Sequence, residues 1–158
     1  MTTDAVRPDV AELAASTKTR VIFVSTGNAA RGQMAEALLR HEAGDRFEVV
    51  SGGTSPQPVN PMAVSALGRI GIDISGAESK SVLRYINVPF DYVITVCDRA
   101  RQFCPTFPGD GEALHWGIDD PAEAAGDEAV RQAAFDRALR ELSGRIRAYI
   151  PLATATHG

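Results

Sequence analysis

The sequence predicts an α/β fold in three layers, a four-stranded parallel sheet with helices on both faces. Three observations predict it. Short apolar runs rich in β-branched and aromatic residues recur along the chain, as expected of strands covered on both sides. Stretches with apolar residues at helical spacing separate them. Gly, Asn and Pro mark the changeovers, and strands alternating with helices imply parallel crossovers. At 158 residues with 44% hydrophobic composition, the chain is long enough to bury about two-thirds of its unfolded surface in one core. The expected division is a flexible N-terminal arm over 1–19, one domain over 20–150 and a C-terminal tail over 151–158.

Within the arm, Pro8 to Ala15 has the composition of a short amphipathic helix but leads into no turn signal, so the whole segment is assigned as mobile. Arg20-Val21-Ile22-Phe23-Val24 is the first strand, expected at the sheet centre. After Ser25–Arg31, the residues Met34, Ala35, Leu38 and Leu39 place an amphipathic helix up to about Ala43, ended by Gly44. Phe47-Glu48-Val49-Val50 is the second strand, and the glycines and prolines from Gly52 to Pro61 form an irregular loop. Asn60-Pro61 starts a helix carrying Val64, Leu67 and Ile70 that stops near Gly71. Asp91 to Val96 is the third strand and Ala113-Leu114-His115-Trp116 the fourth. A final helix spans Asp127 to Ile150, with Val130, Ala134, Ala138, Leu142, Ile146 and Ile150 on its apolar stripe.

In such sheets ligands bind beyond the carboxyl ends of the strands. Ser25, Cys97 and the Asp119-Asp120-Pro121 loop each follow a predicted strand, so all three are expected along that edge. Composition excludes several functions. The formal charge of −4, without long runs of one sign, gives nucleic acid nothing to bind through counterion release. No apolar run reaches the roughly 18 residues of a membrane span, and the N-terminus lacks the apolar core of a signal peptide, which implies a cytoplasmic protein. A structural zinc site needs about four ligands, and His41, His115 and His157 are scattered without ligand spacing, so zinc is not expected; no other metal or cofactor is expected either. The two cysteines, Cys97 and Cys104, make a poor structural staple and leave redox chemistry open.

Ser25-Thr26-Gly27-Asn28-Ala29-Ala30-Arg31 lies between a buried strand and a helix, where several backbone N–H groups can converge on one tetrahedral anion. Gly27 is expected to supply the unusual torsions of such a turn. Arg31, at the helix start, adds a planar fork of donors suited to phosphate-like oxygens. No Gly-Lys-Ser/Thr follows the glycine, so the ligand is a small oxyanion and not a nucleotide.

The longer string Val24-Ser25-Thr26-Gly27-Asn28-Ala29-Ala30-Arg31-Gly32-Gln33-Met34-Ala35-Glu36 resembles the catalytic loop and first helix of thioredoxin-coupled arsenate reductases of the low-molecular-weight tyrosine phosphatase superfamily. The likeness continues through Ser51-Gly52-Gly53-Thr54, Val59-Asn60-Pro61, Gly71-Ile72-Asp73-Ile74-Ser75, Thr95-Val96-Cys97 to Cys104-Pro105, and His115-Trp116-Gly117-Ile118-Asp119-Asp120-Pro121. It implies that fold, and reduction of arsenate to arsenite in arsenic detoxification. It further implies a relay in which a first thiolate attacks arsenate, Cys97 acts second, Cys104 completes a disulfide, and thioredoxin reduces it. Six polar-rich residues separate the two cysteines, and Arg99 and Arg101 would favour their thiolates. Asp120 matches the general acid that protonates the departing oxygen; read alone, Asp120-Pro121 is equally a turn cap.

The sequence departs from the family pattern at three places. Ser25 stands where the attacking cysteine is expected, and a serine hydroxyl stays protonated near neutral pH without a positioned base. The chain as written is therefore expected to bind oxyanion without turning it over, whether Ser25 is a replacement made to trap a ligand or belongs to a non-catalytic binder. Gly32 stands where a hydroxyl residue usually supports the nucleophile. Lys80 is the third: in some members a potassium ion sits near the residues corresponding to Asn28, Glu36 and Ser51, with an acidic residue near this position. A lysine would put its ammonium there instead, bracing Asn28 through Glu36, with no potassium requirement; the other reading of Lys80 is a solvated surface lysine. The same loop and acid, without the cysteine pair, would suffice for a tyrosine phosphatase.

Overall fold

The computed structural model describes residues 8–157. The elements are α1 (Val10–Ala15), β1 (Thr19–Ser25), α2 (Arg31–Ala43), β2 (Phe47–Gly53), α3 (Pro61–Arg69), β3 (Tyr92–Thr95), α4 (Asp98–Phe103), β4 (Glu112–His115) and α5 (Glu128–His157). Single 3-10 turns occupy Val82–Tyr85 and Pro121–Glu123.

The four strands form one parallel sheet in the order β2-β1-β3-β4. Side chains alternate across β1, and both faces are buried. Val21 and Phe23 pack with Met34, Leu67, Phe135 and Leu142 from α2, α3 and α5. Ile22 and Val24 pack with Leu13 of α1, Ala100 of α4 and Val82 and Tyr85 of the first 3-10 turn. This gives the expected three layers, with β1 central. The direction of chain progression reverses between β1 and β3, and a crevice opens beyond the carboxyl ends of strands at such a reversal. Ser25 ends β1, and Cys97 lies two residues past β3, so both sit at that crevice.

The N-terminal segment departs from the expected arm. Asp9 accepts the Glu12 amide at 2.7 Å while Glu12 Oε1 accepts the Asp9 amide, a reciprocal capping box that starts α1. Leu13 is completely buried against the sheet, and Arg20 Nη1 donates to Ala14 O at 2.8 Å. Residues 9–19 are therefore part of the domain, because one buried leucine and a capped turn anchor them. Residues 1–7 of the proposed arm lie outside the described residues.

The other end differs too. The last helix does not stop at Ile150 but carries Pro151 and continues to His157. Proline removes one helical donor, but Ala153 is 1% exposed and Thr154 Oγ1 donates to Ile150 O at 2.6 Å, which holds the added turn to the body.

Strand β2 also runs past Val50 through Ser51, Gly52 and Gly53, pairing Gly53 with Ser25. Close backbone approach explains those glycines. A Cβ on Gly52 would lie 2.8 Å from Val82 Cα, and one on Gly53 would lie 2.7 Å from Thr26 O.

Candidate active site

The Ser25–Ala30 loop is hung from the segment that follows β2. Amides of Thr54, Ser55, Gln57 and Asn60 donate to the carbonyls of Ser25, Thr26, Gly27 and Ala29 at 2.8–3.0 Å. In a planar trans peptide the carbonyl and the next N–H point in opposite directions. The N–H groups of Thr26, Gly27, Asn28 and Ala30 are therefore turned away from that segment. That of Asn28 donates to Ser25 Oγ at 3.0 Å. Ser25, Thr26, Gly27, Ala29, Ala30 and Arg31 line a single cavity together with Gln57, Asn60 and Asp120.

The residue in the left-handed region is Asn28, at φ 50°, and not Gly27 as the sequence suggested. A Cβ on Gly27 would meet its neighbours at ordinary contact distance, 3.6 Å, so neither torsion nor space demands glycine there. Asparagine tolerates the left-handed region better than most residues, and here hydrogen bonds fix it. The side chain is fully buried; its Nδ2 donates to Ser51 Oγ at 2.8 Å, and its Oδ1 accepts the Lys80 amide at 2.8 Å and Gln33 Nε2 at 3.0 Å. Gln33, which the sequence reading did not single out, also reaches Asn28 O and Glu78 O. Its position two residues past Arg31 in the loop motif was the available signal.

Behind Asn28 lies a buried charged network. Ser51 Oγ donates to Glu36 Oε1 at 2.6 Å. Arg40 Nη1 lies 2.7 Å from Glu36 Oε2, and Arg40 also donates to Val49 O. Lys80 Nζ is 3.7 Å from Glu36 Oε1 and donates to Glu78 O at 3.0 Å. Glu36 is completely buried and Lys80 nearly so. The chain Lys80–Glu36–Ser51–Asn28 thus connects a buried ammonium to the loop.

Arg31 lines the cavity from the first turn of α2. One guanidinium nitrogen donates to Ile118 O at 2.8 Å, and the other lies 3.6 Å from Asp120 Oδ2. Asp120 Oδ1 caps the following 3-10 turn by accepting the Ala122 amide at 3.0 Å. Asp120 is thus a turn cap, and its other oxygen approaches Arg31 at the cavity that the loop lines. Asp119 is exposed and lines a neighbouring cavity with Thr26, Arg31, Cys97, Arg99 and Asp120.

Cys97 is buried at the N-cap of α4, with Sγ 3.3 Å from Thr26 Oγ1. Cys104 is half-buried at the other end of that helix, beside a separate cavity lined by Phe90, Arg101, Phe107 and His115. Burial pushes the Cys104 thiol up from its ordinary range. Both thiols are free. A helical rise of ~1.5 Å per residue separates their backbones by about 10 Å, beyond the roughly 7 Å within which a disulfide closes. Gly32 leaves room beside position 25: a Cβ there would lie 2.8 Å from Ser25 Oγ.

Residues 20–154 match the family model described as low molecular weight phosphotyrosine protein phosphatase. An arsenate reductase of Halalkalibacterium halodurans is 40% identical over 129 residues, covering 82% of this chain and 93% of that protein. The arsenate reductase of Bacillus subtilis is 38% identical over 129 residues, with the same coverage. Among solved structures, the thioredoxin-dependent arsenate reductase of Corynebacterium glutamicum superposes with a TM-score of 0.70 at 30% identity, covering 93% of this chain and 67% of that one.

Proposed function

Since the chain belongs to the low molecular weight phosphotyrosine protein phosphatase family and has arsenate reductases among its relatives, we propose that it is an arsenate reductase scaffold whose turnover requires cysteine at position 25. The observation that carries this reading is the junction of the anion loop with a thiol pair: Thr26 of the loop touches Cys97, and α4 links Cys97 to Cys104.

In this reading the loop amides and Arg31 bind a tetrahedral oxyanion at the carboxyl edge of β1. A thiolate at position 25 displaces one arsenate oxygen, which leaves as water after Asp120 gives it a proton. Cys97 then attacks that sulfur, forming a disulfide to position 25; the sulfur–arsenic bond breaks, its electron pair reduces arsenic, and arsenite departs. Cys104 attacks Cys97, freeing the sulfur at position 25 and leaving a Cys97–Cys104 disulfide. Closing it needs residues 98–103 to leave the helix, because α4 holds the thiols apart. Thioredoxin supplies the two electrons that reopen it, in the cytoplasm. With Ser25 the first step has no thiolate, so the chain binds oxyanion without reducing it.

Lys80 takes the place that a potassium ion would need. Asn28 Oδ1 already accepts two donors, and Glu36 already faces Lys80 and Arg40. A cation among these oxygens would have to displace the ammonium, so no potassium requirement is expected.

The test is the Ser25→Cys protein assayed for arsenite with thioredoxin, thioredoxin reductase and a reduced nicotinamide cofactor. Repeated turnover that is lost on replacing either Cys97 or Cys104 supports the reductase. Hydrolysis of an aryl phosphate that survives both replacements, without arsenite, identifies a phosphatase. Inactivity after Ser25→Cys, with oxyanion still bound, identifies a binding protein.

A further inference from the structure

We propose that His115 is a positioning residue for the thiol pair: by holding Asp98 at the start of α4, it biases the chain against joining Cys97 to Cys104. This rests on the relay reading above, to which it adds a control element. His115 ends β4, and its ring is gripped on both sides. Nδ1 lies 2.7 Å from Thr95 Oγ1 on the neighbouring strand, and Nε2 lies 2.8 Å from Asp98 Oδ1. An ionised carboxylate only accepts, so Nε2 carries the proton and donates it to Asp98.

The location gives this contact its consequence. Asp98 directly follows Cys97 and is the first residue of a six-residue helix, far shorter than one that holds itself together in water. Cys97 caps that helix without a side-chain hydrogen bond to its amides. The His115 contact is thus a side-chain tether from the sheet to the first turn, and Arg101 N→Cys97 O at 3.1 Å is a backbone bond closing that turn. Drawing Cys104 to Cys97 abolishes the helical torsions between them, and with these the aim of Asp98 at the imidazole. The tether therefore stabilises the dithiol and not the disulfide. Asp98 is 88% exposed in its side chain, so replacing it leaves the core untouched.

The chain as written, with Ser25, suffices for the test, since both thiols are present. Equilibration with glutathione disulfide transfers two electrons and two protons from the pair to glutathione. One sulfur–sulfur bond forms between Cys97 and Cys104, and one breaks in the oxidant. The measured quantity is the equilibrium constant, read from the trapped free thiols. His115→Gln is expected to favour the disulfide about fivefold, which lowers the reduction potential by about 20 mV at roughly 30 mV per tenfold. Asp98→Ala, which removes the acceptor, is expected to shift it in the same direction. The double variant should shift less than the two effects combined, as for groups acting on one another. A loss of packing common to both redox forms would leave this equilibrium unchanged, which separates positioning from a general structural role.

No Cys97–Cys104 disulfide in the parent chain would overturn the relay reading itself. A disulfide whose equilibrium is the same in parent and His115→Gln, or two effects that simply add, would overturn the assignment of His115 alone. If His115→Gln does not fold, an unchanged equilibrium in Asp98→Ala overturns it as well.

Discussion

Thr26 Oγ1 lies 3.3 Å from Cys97 Sγ, so a side chain of the Ser25–Arg31 loop touches the thiol of the residue that precedes α4. This contact ties the loop to the start of α4 and helps fix the position of the sulfur. Thr26→Val should therefore change the rate of Cys97 alkylation by iodoacetamide several-fold at fixed pH, while alkylation of Cys104 stays within about twofold. An equal change at both would mean that the effect comes through α4 as a whole.

Glu36 and Lys80 form a buried pair behind the loop. Removing Glu36 takes a buried carboxylate from beside two cations, Arg40 and Lys80, and broken buried pairs cost about 3–5 kcal/mol. Glu36→Gln should therefore lower unfolding stability by about 3 kcal/mol in a denaturant titration. Adding Lys80→Met should recover part of the loss, since it removes one of the two positive charges. Potassium should raise neither stability nor, in the Ser25→Cys background, activity; a large rise would contradict the place given to Lys80.

Tyr149 packs edge-on against Tyr92 and Trp116 with its hydroxyl buried and unpaired. Burial pushes its ionisation far above the ordinary phenol range. The folded state holds this proton more tightly than the unfolded state, so its contribution is intact below about pH 10 and is lost as pH rises further. Tyr149→Phe should raise stability at neutral pH by about 1 kcal/mol and flatten the alkaline limb of the stability profile. Thermal unfolding across pH checks both.

Cys104 follows the same sign. Its thiol is raised by burial, so it contributes stability below the ordinary thiol range that fades as pH climbs through the folded value. At pH 8 its alkylation should be several-fold slower in the folded protein than in urea. Equal rates would mean that α4 does not shield it.

The sheet was legible because β1 and β3 are short apolar runs and α2, α3 and α5 carry helical periodicity or terminal signals. The loop was legible as a motif, but its mechanics were not. Gly27 was the natural candidate for the unusual torsion, yet Asn28 carries it, because Ser51, Gln33 and Lys80, distant or unremarked in sequence, meet its amide. Helix α4 left no periodic trace in six mostly polar residues and depends on tertiary contacts such as Asp98–His115. The α1 signal was present in Asp9 and Glu12 and was outweighed by the absence of a turn after it. The last helix was expected to end at Ile150, but packing at Ala153 carries it past Pro151.

If the Ser25–Arg31 loop holds a tetrahedral oxyanion, titration calorimetry of the chain with arsenate and with phosphate will register it. One oxyanion should bind per chain, and Arg31→Ala should weaken it at least tenfold, since a charge-assisted contact contributes about 1.5–3 kcal/mol. No binding, or binding unchanged by Arg31→Ala, would contradict the claim.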